Sequence, residues 1–139
     1  MNQVSKALFT IIAIWCIVVG CFNQTIAIVD DLPWVAAALV GTDVEAFNPV
    51  LAILAHWIGM FLITAGLGIG LIVWKIPDSL WSMIAASVLA IGTVGAQSFS
   101  VLSLGVFGPM FYVLLLVPAI AVVAAVSGYV GLGGEENDA

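Results

Sequence analysis

The sequence predicts an all-α integral membrane protein: a four-helix bundle with a short interfacial helix in its first outer loop. Three observations lead there. Of the 139 residues, 64% are hydrophobic and 7% charged, and the mean hydropathy is +1.30. A water-soluble domain of this length has too little interior to hide that much apolar surface. The apolar residues also gather into four runs, each near the roughly 20 residues that a helix needs to cross a bilayer core. Finally, the runs lack the two-residue alternation of barrel strands, so helix is the structure that satisfies their backbone in lipid. The chain reads as a single transmembrane domain over residues 1–139, too short for an appended soluble domain.

The first span is placed near residues 7–29. Its two cysteines, Cys16 and Cys21, stand five residues apart and point in different directions on a helix, so they are expected as free, buried, small hydrophobes. Lys6 followed by an apolar run and Val18-Val19-Gly20-Cys21 resembles a bacterial lipoprotein signal with Cys21 as its lipidated residue. The apolar character continues through Ile28, however, beyond the roughly 7–15 residues of a signal peptide's core, and this favours a span. The connection that follows opens on Asp30 and Asp31, starts a short helix at Pro33 and stops it at Gly41. Too short to cross, it is expected along the interface with Trp34 at headgroup depth.

Asn48-Pro49 starts the second span, near 50–74. Lys75-Ile76-Pro77-Asp78-Ser79 is a tight turn, in which Pro77 breaks the helix and Asp78 or Ser79 caps the next. The third span runs near 79–104. A second short turn at Gly105-Val106-Phe107-Gly108-Pro109 leads into the fourth, near 107–130, and residues 131–139 form an acidic tail. Short turns make the last three spans antiparallel neighbours. Small residues recur at packing distance: Gly66 and Gly70, Ala86 and Ala90, Ala121 and Ala125, Ala124 and Gly128. Pro118 should kink the fourth span, and the kink is expected to be packed by neighbours.

Charge narrows the function. The net charge is -6, with Lys6 and Lys75 as the sole lysines and no arginine. Without a basic patch, nucleic-acid binding is excluded. The two lysines fall on one side of a four-span topology, which predicts cytoplasmic N- and C-termini. The acids lie outside the apolar runs, so no intramembrane carboxylate relay is available.

The candidate site comes from the polar side chains within the spans: Asn23 and Gln24, His56 beside Trp57, Gln97 and Tyr112. Counted at 1.5 Å per residue, all lie roughly 5–10 Å below the outer surface, so antiparallel helices bring them to one level. Amide, imidazole and phenol groups can hydrogen-bond a quinone-like or lipid head group. The simpler reading is that they meet interfacial water or bond between helices. No pattern for a triad, a redox CxxC or a metal site is present, and Gly66-x-Gly68-x-Gly70 does not match a phosphate cradle. The expected function is thus a non-catalytic membrane subunit or a binder of a quinone-like or lipid ligand. The alternatives are the membrane subunit of a quinone-linked oxidoreductase, or an oligomeric transporter or pore built on the small-residue faces. Its partners would be the lipid bilayer, a second copy or another membrane subunit. No cofactor is specified by a motif; a quinone is the one the polar level could take.

The layout resembles the small four-helix DoxX-like bacterial membrane proteins. The resemblance rests on the outer loop ending at Asn48-Pro49, the glycine-rich span opening with His56-Trp57-Ile58-Gly59, the basic turn Lys75-Ile76-Pro77 and two further spans separated by a Gly-Pro turn. It covers most of the chain and is architectural. It implies a location in the bacterial cytoplasmic (inner) membrane and raises the expectation of a quinone-like or lipid ligand near His56. It transfers no functional residue.

Overall fold

The computed structural model describes residues 1–26, 49–103 and 111–136. They form four helices: α1 (Gln3–Ile26), α2 (Pro49–Lys75), α3 (Leu80–Ser103) and α4 (Phe111–Glu136). Each is long and apolar enough to cross a membrane. The short helix expected at 30–41, the Gly-Pro turn at 105–109 and the last residues of the first span lie outside the described residues.

Local chemistry sets the ends. α1 starts four residues earlier than hydropathy suggests, because Asn2 caps it: the Ser5 N–H donates to Asn2 Oδ1 at 2.8 Å. At the start of α3, Ser79 is the cap. The Ser82 N–H donates to Ser79 Oγ at 3.1 Å, and the Ser79 N–H donates to Ser82 Oγ at 3.0 Å, a reciprocal box with serine where glutamate is more usual. The Ile76 N–H reaches back to the Leu71 carbonyl at 3.3 Å, closing the last turn of α2 before Pro77. At the other extreme, α4 runs on through Gly131 to Glu136, so most of the segment read as an acidic tail continues the helix.

The helices alternate in direction. Gly20 of α1 lies against Gly59 of α2, and Ala13 against Gly66. Gly68 of α2 faces Leu89 of α3, and Ser98 of α3 bonds to the Leu114 carbonyl of α4. α4 then returns to α1, where Asn2 Nδ2 donates to the Ser127 carbonyl at 2.9 Å and Ser5 Oγ to the Ala124 carbonyl at 2.8 Å. The result is an up-down-up-down ring with α1 packed most closely on α2. Its core is built from inward rows at three- and four-residue spacing: Phe9, Ile12 and Cys16 on α1, Leu62, Ala65, Ile69 and Val73 on α2, Met83, Ala86, Ala90 and Val94 on α3, Val117, Ala121 and Ala124 on α4. That spacing is the one on which left-handed helix bundles pack.

Glycine sets the α1–α2 distance. A methyl group at Gly59 would come within 2.8 Å of the Gly20 carbonyl oxygen, and one at Gly66 within 2.7 Å of the Ala13 oxygen. Backbones this near each other need small residues at the crossing. The Gly66/Gly70 pair does not act as a unit. Gly66 is buried against α1, whereas no atom lies within 4 Å of where a Gly70 Cβ would sit. The Ala86/Ala90, Ala121/Ala125 and Ala124/Gly128 pairs all lie inside the bundle.

The outward faces are apolar. Ile14, Phe61, Val88, Phe99, Leu116 and Val122 are among many large hydrophobic side chains left exposed. This is far more than a soluble monomer's surface carries as one continuous area. Aromatic rings stand at both ends: Trp74 and Trp81 at one, Trp57 and Tyr112 at the other. Along α2, Trp57 and Trp74 are separated by roughly 26 Å at 1.5 Å per residue, close to the thickness of a hydrocarbon core.

Candidate functional site

The predicted polar residues occupy the C-terminal ends of α1 and α3 and the N-terminal ends of α2 and α4, which the alternating topology places at one end of the bundle. Two of the six are linked directly. Gln24 Nε2 donates to the backbone carbonyl of His56 at 2.7 Å, tying α1 to α2. The contact forms because Gly59, one turn along α2, lets α1 come close; a methyl group there would meet Gln24 Nε2 at 2.7 Å and Asn23 Cβ at 3.1 Å.

The other side chains do different things. Asn23 Nδ2 donates to the Val19 carbonyl of its own helix at 2.9 Å. The His56 imidazole is exposed and makes no hydrogen bond with a described residue. Trp57 is 73% exposed and Tyr112 77%, so both rings face outward from the bundle. Gln97 is half-buried on α3. The alternating topology therefore groups these residues at one end of the bundle. Around the bundle axis, His56, Trp57 and Tyr112 lie on the outer wall. Cys16 is buried as expected and Cys21 is exposed; both are free. Among the described residues, no group of three His, Cys, Asp or Glu side chains stands together.

Sequence reasoning missed several polar contacts. Ser98 is the most informative. Pro118 has no N–H, so the carbonyl four residues back, on Leu114, lacks its helical donor. Ser98 Oγ supplies a hydrogen bond to that oxygen from α3. A proline inside an apolar helix demands such a donor from a neighbour. That demand was readable; which helix would meet it was not. At the opposite end, the Trp74 indole N–H donates to Thr10 Oγ1 at 2.8 Å, and the Thr10 hydroxyl donates to the Lys6 carbonyl at 2.7 Å. Lys6 Nζ lies 3.0 Å from the Asp78 carboxylate, and the Met1 amine lies 3.5 Å from it. The hydrogen bond from Lys6 holds the Asp78 carboxyl below its ordinary range, against an opposing effect of burial, with the nearby positive charges adding to the lowering.

No family model matches the chain, and no curated protein or solved structure is significantly similar to it. The site therefore has to be argued from its own chemistry.

Proposed function

We propose that this chain is an integral membrane protein of the bacterial cytoplasmic membrane. It acts as a non-catalytic subunit that binds an amphiphile with a hydrogen-bonding head group, of the quinone or lipid kind, at the end of the bundle that carries His56. Both termini and the Lys75 turn face the cytoplasm, and the 30–41 segment lies along the outer surface as a short helix.

Lys6 and Lys75 support the orientation, because both sit at the same end of the bundle, beside Trp74 and Trp81. The DoxX-like layout supports the compartment. One observation carries the ligand reading: the Gln24 amide is used on the His56 backbone, and the His56 ring, exposed beside Trp57 on the wall of the bundle, has no hydrogen-bond partner among the described residues. An imidazole there can both donate to and accept from a head group held at interfacial depth. The pore reading has less support, since Gly66 is already used in the α1–α2 contact.

The test is the amphiphile content of the purified protein. His56→Ala should leave the helical content and unfolding temperature unchanged and should reduce co-purified quinone or lipid at least several-fold. Equal content in a folded His56→Ala variant overturns the reading.

A further inference from the structure

On the other side of the α1–α2 contact, at the Lys75 end, the two helices leave an open apolar groove of about 320 Å³. Its floor runs along Gly66, which is packed against α1, to Gly70, whose missing side chain leaves the space open, and Ile14 and Ile17 of α1 form one wall. Trp74 closes the end and is fixed there by its hydrogen bond to Thr10. Lys75 stands at the mouth. From Gly66 to Lys75 the groove is roughly 14 Å long at 1.5 Å per residue.

We infer that this groove holds one acyl chain of an anionic phospholipid, with the phosphate-bearing head group at Lys75. Charge complementarity selects this occupant. Lys6 is engaged by Asp78 at 3.0 Å, whereas Lys75 pairs with no described carboxylate. No acid lines the groove, so the ammonium at its mouth has no counter-charge there. A second copy fits worse. A two-fold contact through this face, with the α2 helices parallel, would set Lys75 against Lys75 of the other copy with no acid to separate them. A free phosphate would leave the apolar trough unfilled. The site is at the opposite end of the bundle from His56, so it rests on the membrane reading above but not on a ligand at His56.

The full-length protein in nanodiscs or mixed micelles of phosphatidylglycerol or phosphatidylcholine, matched in acyl chains, gives the test by native mass spectrometry. The protein should retain phosphatidylglycerol about fivefold better than phosphatidylcholine, the factor that corresponds to roughly 1 kcal/mol for one lysine at an anionic surface. Lys75→Gln, at an exposed helix end, should abolish the preference. Gly70→Leu, which enters open space, should reduce retention of both lipids while the helical content stays unchanged. Equal retention of the two lipids by the unaltered protein overturns the proposal. So does a Gly70→Leu variant that retains both lipids as well as the unaltered protein does, or a dimer that Gly70→Leu dissociates.

Discussion

Ser98 stands where the backbone of α4 is one donor short. Its hydroxyl is buried and serves the carbonyl that Pro118 leaves free, so the two residues form one feature across two helices. Ser98→Ala should destabilise the protein by about 1 kcal/mol, the scale of an interhelical hydrogen bond in lipid. In a Pro118→Ala background the Leu114 carbonyl regains its own helical donor, and the same serine change should cost close to nothing. A double-mutant cycle by thermal unfolding in detergent checks this; equal costs in the two backgrounds would separate Ser98 from the proline. Trp15 is the opposite case. Its indole N–H is buried with no hydrogen-bond partner among the described residues. Trp15→Phe removes that orphan donor and keeps a large apolar ring, so the melting temperature should hold or rise. A loss of more than about 2 kcal/mol would show that the indole has a partner. Neither residue's role was legible in the sequence, because linear order does not say which side of a helix meets a neighbour.

At the scale of elements, the α1–α2 pair is held by glycines spaced seven residues apart on α2, Gly59 and Gly66. The sequence draws the eye to the four-residue pair Gly66 and Gly70, a pattern associated with close right-handed crossings. In an antiparallel bundle with core rows at three- and four-residue spacing, the inward face returns every seven residues, so Gly70 falls off the contact. Gly59→Ala should therefore destabilise by about 1–3 kcal/mol, since its methyl group meets a backbone oxygen that cannot move without shifting α1. Gly70→Ala should stay within about 0.5 kcal/mol of the unaltered protein, as changes at open surface do. Unfolding midpoints of the two variants decide between the two glycine patterns. The α2–α3 turn makes a pH-dependent contribution. Asp78 is more acidic in the folded protein, so the stability it lends is complete above its unfolded pKa of about 3.9 and is lost as pH falls through the lower folded value. An acid titration of unfolding should show a drop below about pH 4 that is shallower in Asp78→Asn. Matching acid limbs would mean that the Lys6 contact lends no stability.

Over the whole molecule, hydropathy made the four long helices of the described residues legible. Long apolar runs broken by Pro77 and by Asn48-Pro49 leave little else to build. That the polar side chains share one end of the bundle was also legible, because the alternating direction of the spans fixes it. Their azimuth was not. Gln24 turned toward α2, while Trp57 and Tyr112 turned outward, and these facts depend on how each helix is rotated in the bundle. The same rotation produces the apolar exterior, which suits helices long and apolar enough to cross a membrane. A Cys21→Ser protein labelled with a nitroxide at Val88 of α3 or Val122 of α4, both exposed and mid-helix, reports on that directly once reconstituted in liposomes. At both sites the label should collide freely with dissolved oxygen and be shielded from a water-soluble nickel chelate. Chelate access at these sites equal to that of a label in open water would contradict four helices crossing a membrane.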